Sequence, residues 1–372
     1  MSDTDTPEPD RIEGAPHPRE TARVIGQDAA QAAFLDSFNS GRLHHGWLLT
    51  GPRGVGKATL AWAIARFLLA TPDTQEDGLF GAPPPPASLD VDPEHPVARR
   101  ILARSEPGLF HITRTVNEKT KRLRDQIVAD DVRSLNRFMS LSAADGGRRV
   151  VIIDSADEMN TQAANALLKM LEEPPARTTL LLVSHQPSRL LPTIRSRCRE
   201  LRLGTLTPAD MATALSQAGI DTPGDTSALA ELGAGSVGEA VRLINLDGMK
   251  IYAELVALYD TLPRLDRQRA LKLAEAAAAR GAEARLDLLF HLNDLLLTRL
   301  ARTGAMGHPP ATEAAPGETA LLSRLAPGPR QGRAWAELAQ TISARIGHAR
   351  AVNLDPVALV LDTVFKIQQT AA

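Results

Sequence analysis

Cysteine is almost missing from this chain of 372 residues; Cys198 is its only one. A single thiol excludes an intramolecular disulfide and any cysteine-rich zinc site. Aromatic residues are scarce too, at 3%, which leaves no interleaved platform for stacking bases. Long apolar runs are absent: stretches such as Leu60–Ala65 fall far short of the roughly 20 residues a membrane-spanning helix needs. Neither sign of charge is in excess. Forty-two Lys and Arg stand against 44 Asp and Glu, a formal net charge of −2. Coating of nucleic acid by bulk charge is thereby excluded, and only a local basic patch stays open. Residues 1–20, rich in Pro, Asp and Glu, lack the basic start and apolar core of a signal peptide. They read as a disordered tail on a cytoplasmic protein.

What is present suffices for folding. Hydrophobic residues make up 43% and charged residues 23%, so disorder throughout is excluded. At roughly 150 residues per domain the length suggests two or three domains. Over residues 21–203, short apolar runs alternate with helical patterns: Trp47-Leu48-Leu49, then Val150–Ile153, then Leu180–Val183. That alternation predicts a parallel sheet buried between helices. A proline-rich insertion at about residues 73–98, with Gly81-Ala82-Pro83-Pro84-Pro85-Pro86 at its centre, reads as a polyproline surface loop. After Leu203 the pattern is helical. Thr207-Pro208 with Asp210 supplies a cap, a proline at the first helical position and an acidic first turn. A small helical domain over 204–247 is expected, then long helices over 248–372. Leu286, Leu289, Leu292, Leu296 and Leu300 form one apolar face. Gly304–Glu318 reads as a loop.

The strongest local motif is Gly51-Pro52-Arg53-Gly54-Val55-Gly56-Lys57-Ala58-Thr59. Glycines at this spacing let backbone N–H groups curl around phosphate oxygens, and the helix that follows adds its positive end. Lys57 would reach the outer phosphates. The Mg²⁺-binding hydroxyl should follow the lysine, but that residue is Ala58. Thr59 is rotated by about 100° around the helix. Two readings stand: a site for ATP or ADP, with Mg²⁺ only as nucleotide brings it, and a vestigial loop that supports the fold.

A second motif is also incomplete. Val150–Ile153 ends in Asp154, the acid that helps place Mg²⁺ in a P-loop enzyme. Where a hydrolytic site holds a glutamate to polarise water, Ser155 stands. Loss of such a base costs roughly 10²–10⁴ in rate. Asp157 and Glu158 read as caps of the next helix.

Asn160–Pro175, with Leu167-Leu168-Lys169 and Leu171-Glu172-Glu173-Pro174-Pro175, and then Ser196-Arg197-Cys198, resemble the motifs of bacterial clamp-loader subunits of DNA polymerase III, within the AAA+ family. Val24-Ile25-Gly26-Gln27 is similar to the segment of that family on the adenine side. Ile127–Leu135, with Asp130 and Arg133, resembles its helix before the second acidic strand. The resemblance implies an α/β AAA+ core over 21–203, a helical lid over 204–247 and an all-α collar over 248–372. It implies nucleotide contacts at Val24, Ile25, Gly51, Gly54, Val55, Gly56, Lys57, Ala58, Thr59 and Asp154. The lid arginine of the family is Gly238 here, within Gly235-Ser236-Val237-Gly238, and Arg242 lies one turn on. No zinc is implied. A subunit with these departures would be a stator without ATPase or polymerase chemistry of its own. Its Arg197 would act in trans on an adjacent ATP, with Ser196 orienting the helix end, Arg195 as a bland neighbour and Cys198 as a small buried hydrophobe. The implied partners are gamma/tau and delta subunits, the sliding clamp, and primer–template DNA within the complex.

Arg114, Lys119, Lys121, Arg122 and Arg124 form a basic cluster, either a solvated loop or helix face or a contact for DNA phosphates. Two rival functions are a self-sufficient AAA+ ATPase and a DNA-binding adaptor. Steady turnover of MgATP by the chain alone marks the first. Tight DNA binding indifferent to Arg197 marks the second.

Overall fold

The structure is a computed structural model that describes residues 8–71, 84–140, 147–222 and 226–372. Residues 1–7 of the expected tail, and residues 73–83 of the proline-rich insertion, lie outside the described residues. The chain divides into two compact units. One comprises residues 1–221 with 235–238, and the other residues 222–234 with 239–372. The 204–247 segment is therefore shared between them.

The first unit holds a five-stranded sheet of order β2-β3-β4-β1-β5. Its strands are β1 (Gly46–Thr50), β2 (Leu109–Ile112), β3 (Arg149–Ile153), β4 (Thr178–Val183) and β5 (Arg199–Arg202), all paired in parallel. Among the described residues seven α-helices accompany it: α1 (Asp28–Asn39), α2 (Lys57–Ala70), α3 (Pro96–Leu102), α4 (Ala129–Ser140), α5 (Thr161–Glu172), α6 (Pro192–Arg195) and α7 (Pro208–Gln217). The α/β expectation is borne out, and the three apolar runs are the three central strands. Side chains alternate across them. Trp47, Leu49, Val150, Ile152, Leu181 and Val183 pack with Phe34 of α1 and Leu60 and Ile64 of α2. Leu48, Val151, Ile153, Leu180 and Leu182 pack with Leu135 of α4 and Leu167 of α5. A sheet covered on both faces needs strands apolar on both sides, which is why these runs are continuous. The edge strands escape that rule. In β5 only Leu201 is buried, and Arg199, Glu200 and Arg202 are exposed.

The amino-terminal segment departs from expectation. From Glu8 onward it is not a loose tail: the side chains of Asp10 and His17 are 3% and 1% exposed. His17 caps the turn Pro18–Glu20. Arg66 of α2 donates to the carbonyls of Arg19 at 3.1 Å and Thr21 at 2.9 Å. Composition suggested disorder; specific polar partners in the core override it. Pro84 and Pro85 are exposed, as a surface loop requires. Thr207 accepts from the backbone of Asp210, giving α7 its cap as expected.

The second unit is all-helical, with α8 (Thr226–Leu232), α9 (Val237–Asn245, whose first two residues belong to the first unit), α10 (Gly248–Tyr259), α11 (Arg267–Ala277), α12 (Glu283–Met306), α13 (Glu318–Leu325), α14 (Pro329–Ala351) and α15 (Pro356–Ala371). Leu289, Leu292, Leu296 and Leu300 of the apolar face are buried, and Leu286 is half-buried. Helix α12 runs through Gly304, which was expected to open a loop. A Cβ on Gly304 would stand 2.6 Å from Cα of Gly332 in α14. This glycine is a crossing point of two helices rather than a breaker.

A buried charge cluster orders this unit. Glu318 is fully buried and accepts from Arg299 at 2.6 Å, from the hydroxyl of Tyr252 at 2.5 Å and from the backbone of Ala314 at 2.6 Å. Arg299 also pairs with Glu231 at 2.6 Å and donates to the carbonyl of Thr312 at 2.8 Å. Removing one partner strands the other charge out of water. Glu318→Ala is expected to cost about 3–5 kcal/mol in urea unfolding, whereas replacing both Arg299 and Glu318 by apolar residues of similar volume costs less.

Candidate functional site

The glycine-rich loop leaves the carboxyl end of β1 and enters α2. Gly51, Gly54 and Gly56 adopt φ of 138°, 76° and 97°. Two of them also answer to close packing. A Cβ on Gly51 would lie 2.4 Å from the carbonyl oxygen of Leu203, and one on Gly54 only 2.3 Å from Oγ of Ser236. Gly56 faces open space. Val55 is buried in the core beside α2, Ala58 and Thr59 are half-buried in its first turn, and Lys57 is 2% exposed. The Lys57 amine donates to the carbonyl of Gly51 at 2.8 Å and to that of Pro52. Burial pulls it down to about 8, against the attraction of Asp154 and Asp157.

Asp154 follows β3 and is 5% exposed. Burial pushes its carboxyl up to about 7, with Asp10 adding to the rise and the Ser155 backbone N–H and Lys57 opposing it. Ser155 is left-handed, at φ 58°, and its hydroxyl lies 3.3 Å from Nε2 of His185. Burial brings His185 down to about 4. The position after the acid thus meets a neutral imidazole rather than a carboxylate. Asp157 accepts from the backbone of His185 at 2.9 Å, and Glu158 pairs with Arg114 at 2.8 Å. Neither caps α5, contrary to expectation: that cap is Asn160, which accepts from Ala163 at 2.9 Å. Asp157 and Glu158 belong to a separate short turn, Ala156–Glu158.

The loop keeps the glycine spacing of a phosphate-cradling turn, with positive φ at Gly51, Gly54 and Gly56. The donor set does not fit a hydrolytic Mg²⁺ centre, because Ala58 brings no oxygen and Ser155 no carboxylate. The 235–238 turn closes over the loop, with Gly238 N–H donating to the carbonyl of Gly54 at 3.1 Å. A Cβ on Gly238 would come within 3.0 Å of Cα of Gly54 and 2.8 Å of Cδ1 of Ile12. The side chain that position 238 lacks would press on the backbone of Gly54 and the end of Ile12. Arg242 pairs with Glu239 at 3.1 Å. Val24 and Ile25 are half-buried, and Val24 packs on the core. Gln27 stitches this segment to the loop, donating to Val55 at 3.1 Å and Gly204 at 2.9 Å.

Arg197 lies elsewhere. It precedes β5, and its carbonyl is 3.2 Å from a Cβ placed on Gly46, the first residue of β1. The phosphate loop leaves the last residue of β1. Strands β1 and β5 are parallel, with Trp47 opposite Arg199 and Thr50 opposite Arg202. Arg197 and the loop therefore occupy opposite ends of the sheet, separated by about five residues of strand at roughly 3.3 Å each. The guanidinium is 36% exposed, donates to the carbonyl of Thr193 at 3.0 Å and pairs with Glu172 of α5 at 2.8 Å. Ser196 donates to the same carbonyl at 3.1 Å, and Arg195 is exposed. Cys198 is partly buried, and its burial pushes the thiol up to about 12.

The basic cluster is a hairpin rather than a helix face, closed by the bridge between Val116 and Leu123. Asn117 folds its tip by accepting from the backbones of Lys119 and Thr120. Arg114 and Arg124 turn toward Glu158 and Asp131, while Lys119, Lys121 and Arg122 are exposed. Sequence reasoning missed three residues that gather near Asp154: Asp10, His17 and His111. A His and an Asp in a proline-rich segment carry no periodic signal.

Gly238→Arg is expected to lower the unfolding midpoint without tightening the binding of a fluorescent ATP analogue. Gly51→Ala should cost about 1–3 kcal/mol in urea unfolding, since it combines a left-handed φ with a backbone clash.

Residues 26–207 match the family described as DNA polymerase III, delta subunit. The chain is 36% identical over 234 residues to DNA polymerase III subunit delta' of Pseudomonas aeruginosa, covering 62% of this chain and 65% of that one. It is 36% identical over 171 residues to subunit delta' of Yersinia pestis, covering 46% and 45%. It is 29% identical over 313 residues to subunit gamma/tau of Mycobacterium tuberculosis, covering 75% and 50%. The chain thus spans less than two thirds of the length of the curated relatives it matches.

Proposed function

We propose that this chain is a delta-prime-like clamp-loader subunit of DNA polymerase III, the family that residues 26–207 match, and that it works as a stator, which leaves ATP hydrolysis to a neighbour and supplies Arg197 to that neighbour's site. The observation that carries this reading is the position of Arg197. At the amino end of β5, it stands across the sheet from its own phosphate loop, so a triphosphate it meets must belong to another subunit. As a γ-phosphate leaves, negative charge spreads over its oxygens. A guanidinium supplied in trans stabilises that charge and is worth about 10³–10⁵ in rate. Its present partner, Glu172, is exposed with it, and a phosphate replaces a carboxylate in kind.

The silence of its own site is supported by two chemical gaps. Ala58 withholds the Mg²⁺ hydroxyl, and Ser155 sits against His185 in place of a base. A nucleotide held by the loop would keep it ordered without being turned over. In this reading the second unit joins gamma/tau and delta subunits, and the assembly opens the sliding clamp and places it on primer–template DNA. The exposed tip of the basic hairpin, Lys119, Lys121 and Arg122, suits phosphate contacts in that complex.

A reconstituted loader tests the role directly. Arg197→Ala is expected to lower clamp- and DNA-stimulated ATPase at least about 100-fold at the adjoining site, with assembly unchanged by size-exclusion chromatography. Arg197→Lys, lacking the planar fork, should not restore it. An unaltered rate rejects the trans role, and steady MgATP turnover by the isolated chain rejects the stator.

A further inference from the structure

We propose that Asp10, His111 and Asp154 form a binding site for a first-row divalent metal ion such as Zn²⁺, independent of any nucleotide. The three residues come from separate parts of the first unit: the amino-terminal segment, the third position of β2, and the turn after β3. Each offers one ligand atom, and these atoms lie within 4.8 Å of one another. Nε2 of His111 is 3.5 Å from Oδ2 of Asp10. Two donors bound to a tetrahedral Zn²⁺ at about 2.0–2.1 Å stand about 3.4 Å apart, so this pair already has the required edge.

The Asp10 side chain is 3% exposed and faces His17, while the buried Nε2 of His111 makes no hydrogen bond. Nε2 of His17 lies 2.8 Å from Oδ2 of Asp10, within reach for its N–H to donate to that carboxylate. Nδ1 of the same ring accepts from the backbone of Arg19 at 3.1 Å, which fixes its orientation. An imidazole fixed in this way is the outer-shell partner that metal-ligating carboxylates use. Asp10 and Asp154 are two carboxylates drawn together out of water. Such a pair repels, and a cation bound between the two carboxylates would relieve that repulsion.

The donor set selects the ligand. Calcium and magnesium prefer oxygens throughout, whereas one imidazole with two carboxylates suits Zn²⁺, Mn²⁺ or Fe²⁺. A cavity of about 280 Å³ adjoins Asp10 and His111, lined also by His17, Arg19, Trp62 and Glu106. It gives room for a water as fourth ligand and a path for the ion to arrive. A bound cation would clamp the amino-terminal segment to the ends of β2 and β3.

The full chain, stripped with a chelator and kept free of nucleotide, is titrated with Co²⁺ and then Zn²⁺. One equivalent of Co²⁺ should give the visible absorption of a tetrahedral nitrogen–oxygen site. Zn²⁺ should displace it and raise the melting temperature. Asp10→Asn and His111→Gln should each abolish the bands and weaken Zn²⁺ binding more than about tenfold, by direct loss of a ligand. No bands in the wild type, or bands and affinity retained in both variants, overturns the proposal; retention would mean adventitious binding at other histidines. Should circular dichroism find Asp10→Asn unfolded, His111→Gln decides, because that side chain is 22% exposed and its loss leaves no large void.

Discussion

Everything in the first unit depends on the shared direction of its strands. Five parallel strands bring all their carboxyl ends to one edge of the sheet, where loops are free to differ. The phosphate loop leaves β1 there, Asp154 leaves β3 there, and Ser184-His185 leave β4 there. Arg197 enters β5 from the opposite edge. A sheet with β5 reversed would put that arginine beside its own loop. Strand polarity, and no property of the guanidinium alone, keeps the two apart.

Around the loop, chemistry has been exchanged for contact. A glycine at 238 brings two stretches of backbone together, its N–H on the carbonyl of Gly54, where a Cβ would press on Cα of Gly54. Ser155, in a left-handed conformation, turns toward His185, and Lys57 turns back to the carbonyls of Gly51 and Pro52.

Much of this was legible in residues with one dominant constraint. The continuous apolar runs around Trp47, Val150 and Leu180 had to be central strands, because a doubly covered sheet leaves them no polar face. Thr207 and Pro208 had to begin a helix. Legibility failed where two constraints competed. Arg199-Glu200-Leu201-Arg202 is a strand through pairing with β1, which its own composition does not announce. Gly304 looked like a breaker, and a second glycine in a distant helix made it a crossing point instead. Asp10 and His17 sat in a segment whose composition argued for disorder, and only the fold brought them to His111 and Asp154. Local pattern cannot report a partner about a hundred residues away along the chain.

Two arginines show how burial divides structural from functional charge. Arg299 is 5% exposed and is shared among Glu318, Glu231 and the carbonyl of Thr312. Withdrawing it would leave the buried carboxylate of Glu318 without its counter-charge, so it is held in place. Arg197 and Glu172 are 36% and 48% exposed, and a pair so open to water contributes about 0–1 kcal/mol. That is enough to hold the fork in a preferred direction and too little to prevent its release. Arg197 is thus ordered by Thr193 and Glu172 yet weakly held, the balance that the proposed encounter with a neighbour's phosphate would require.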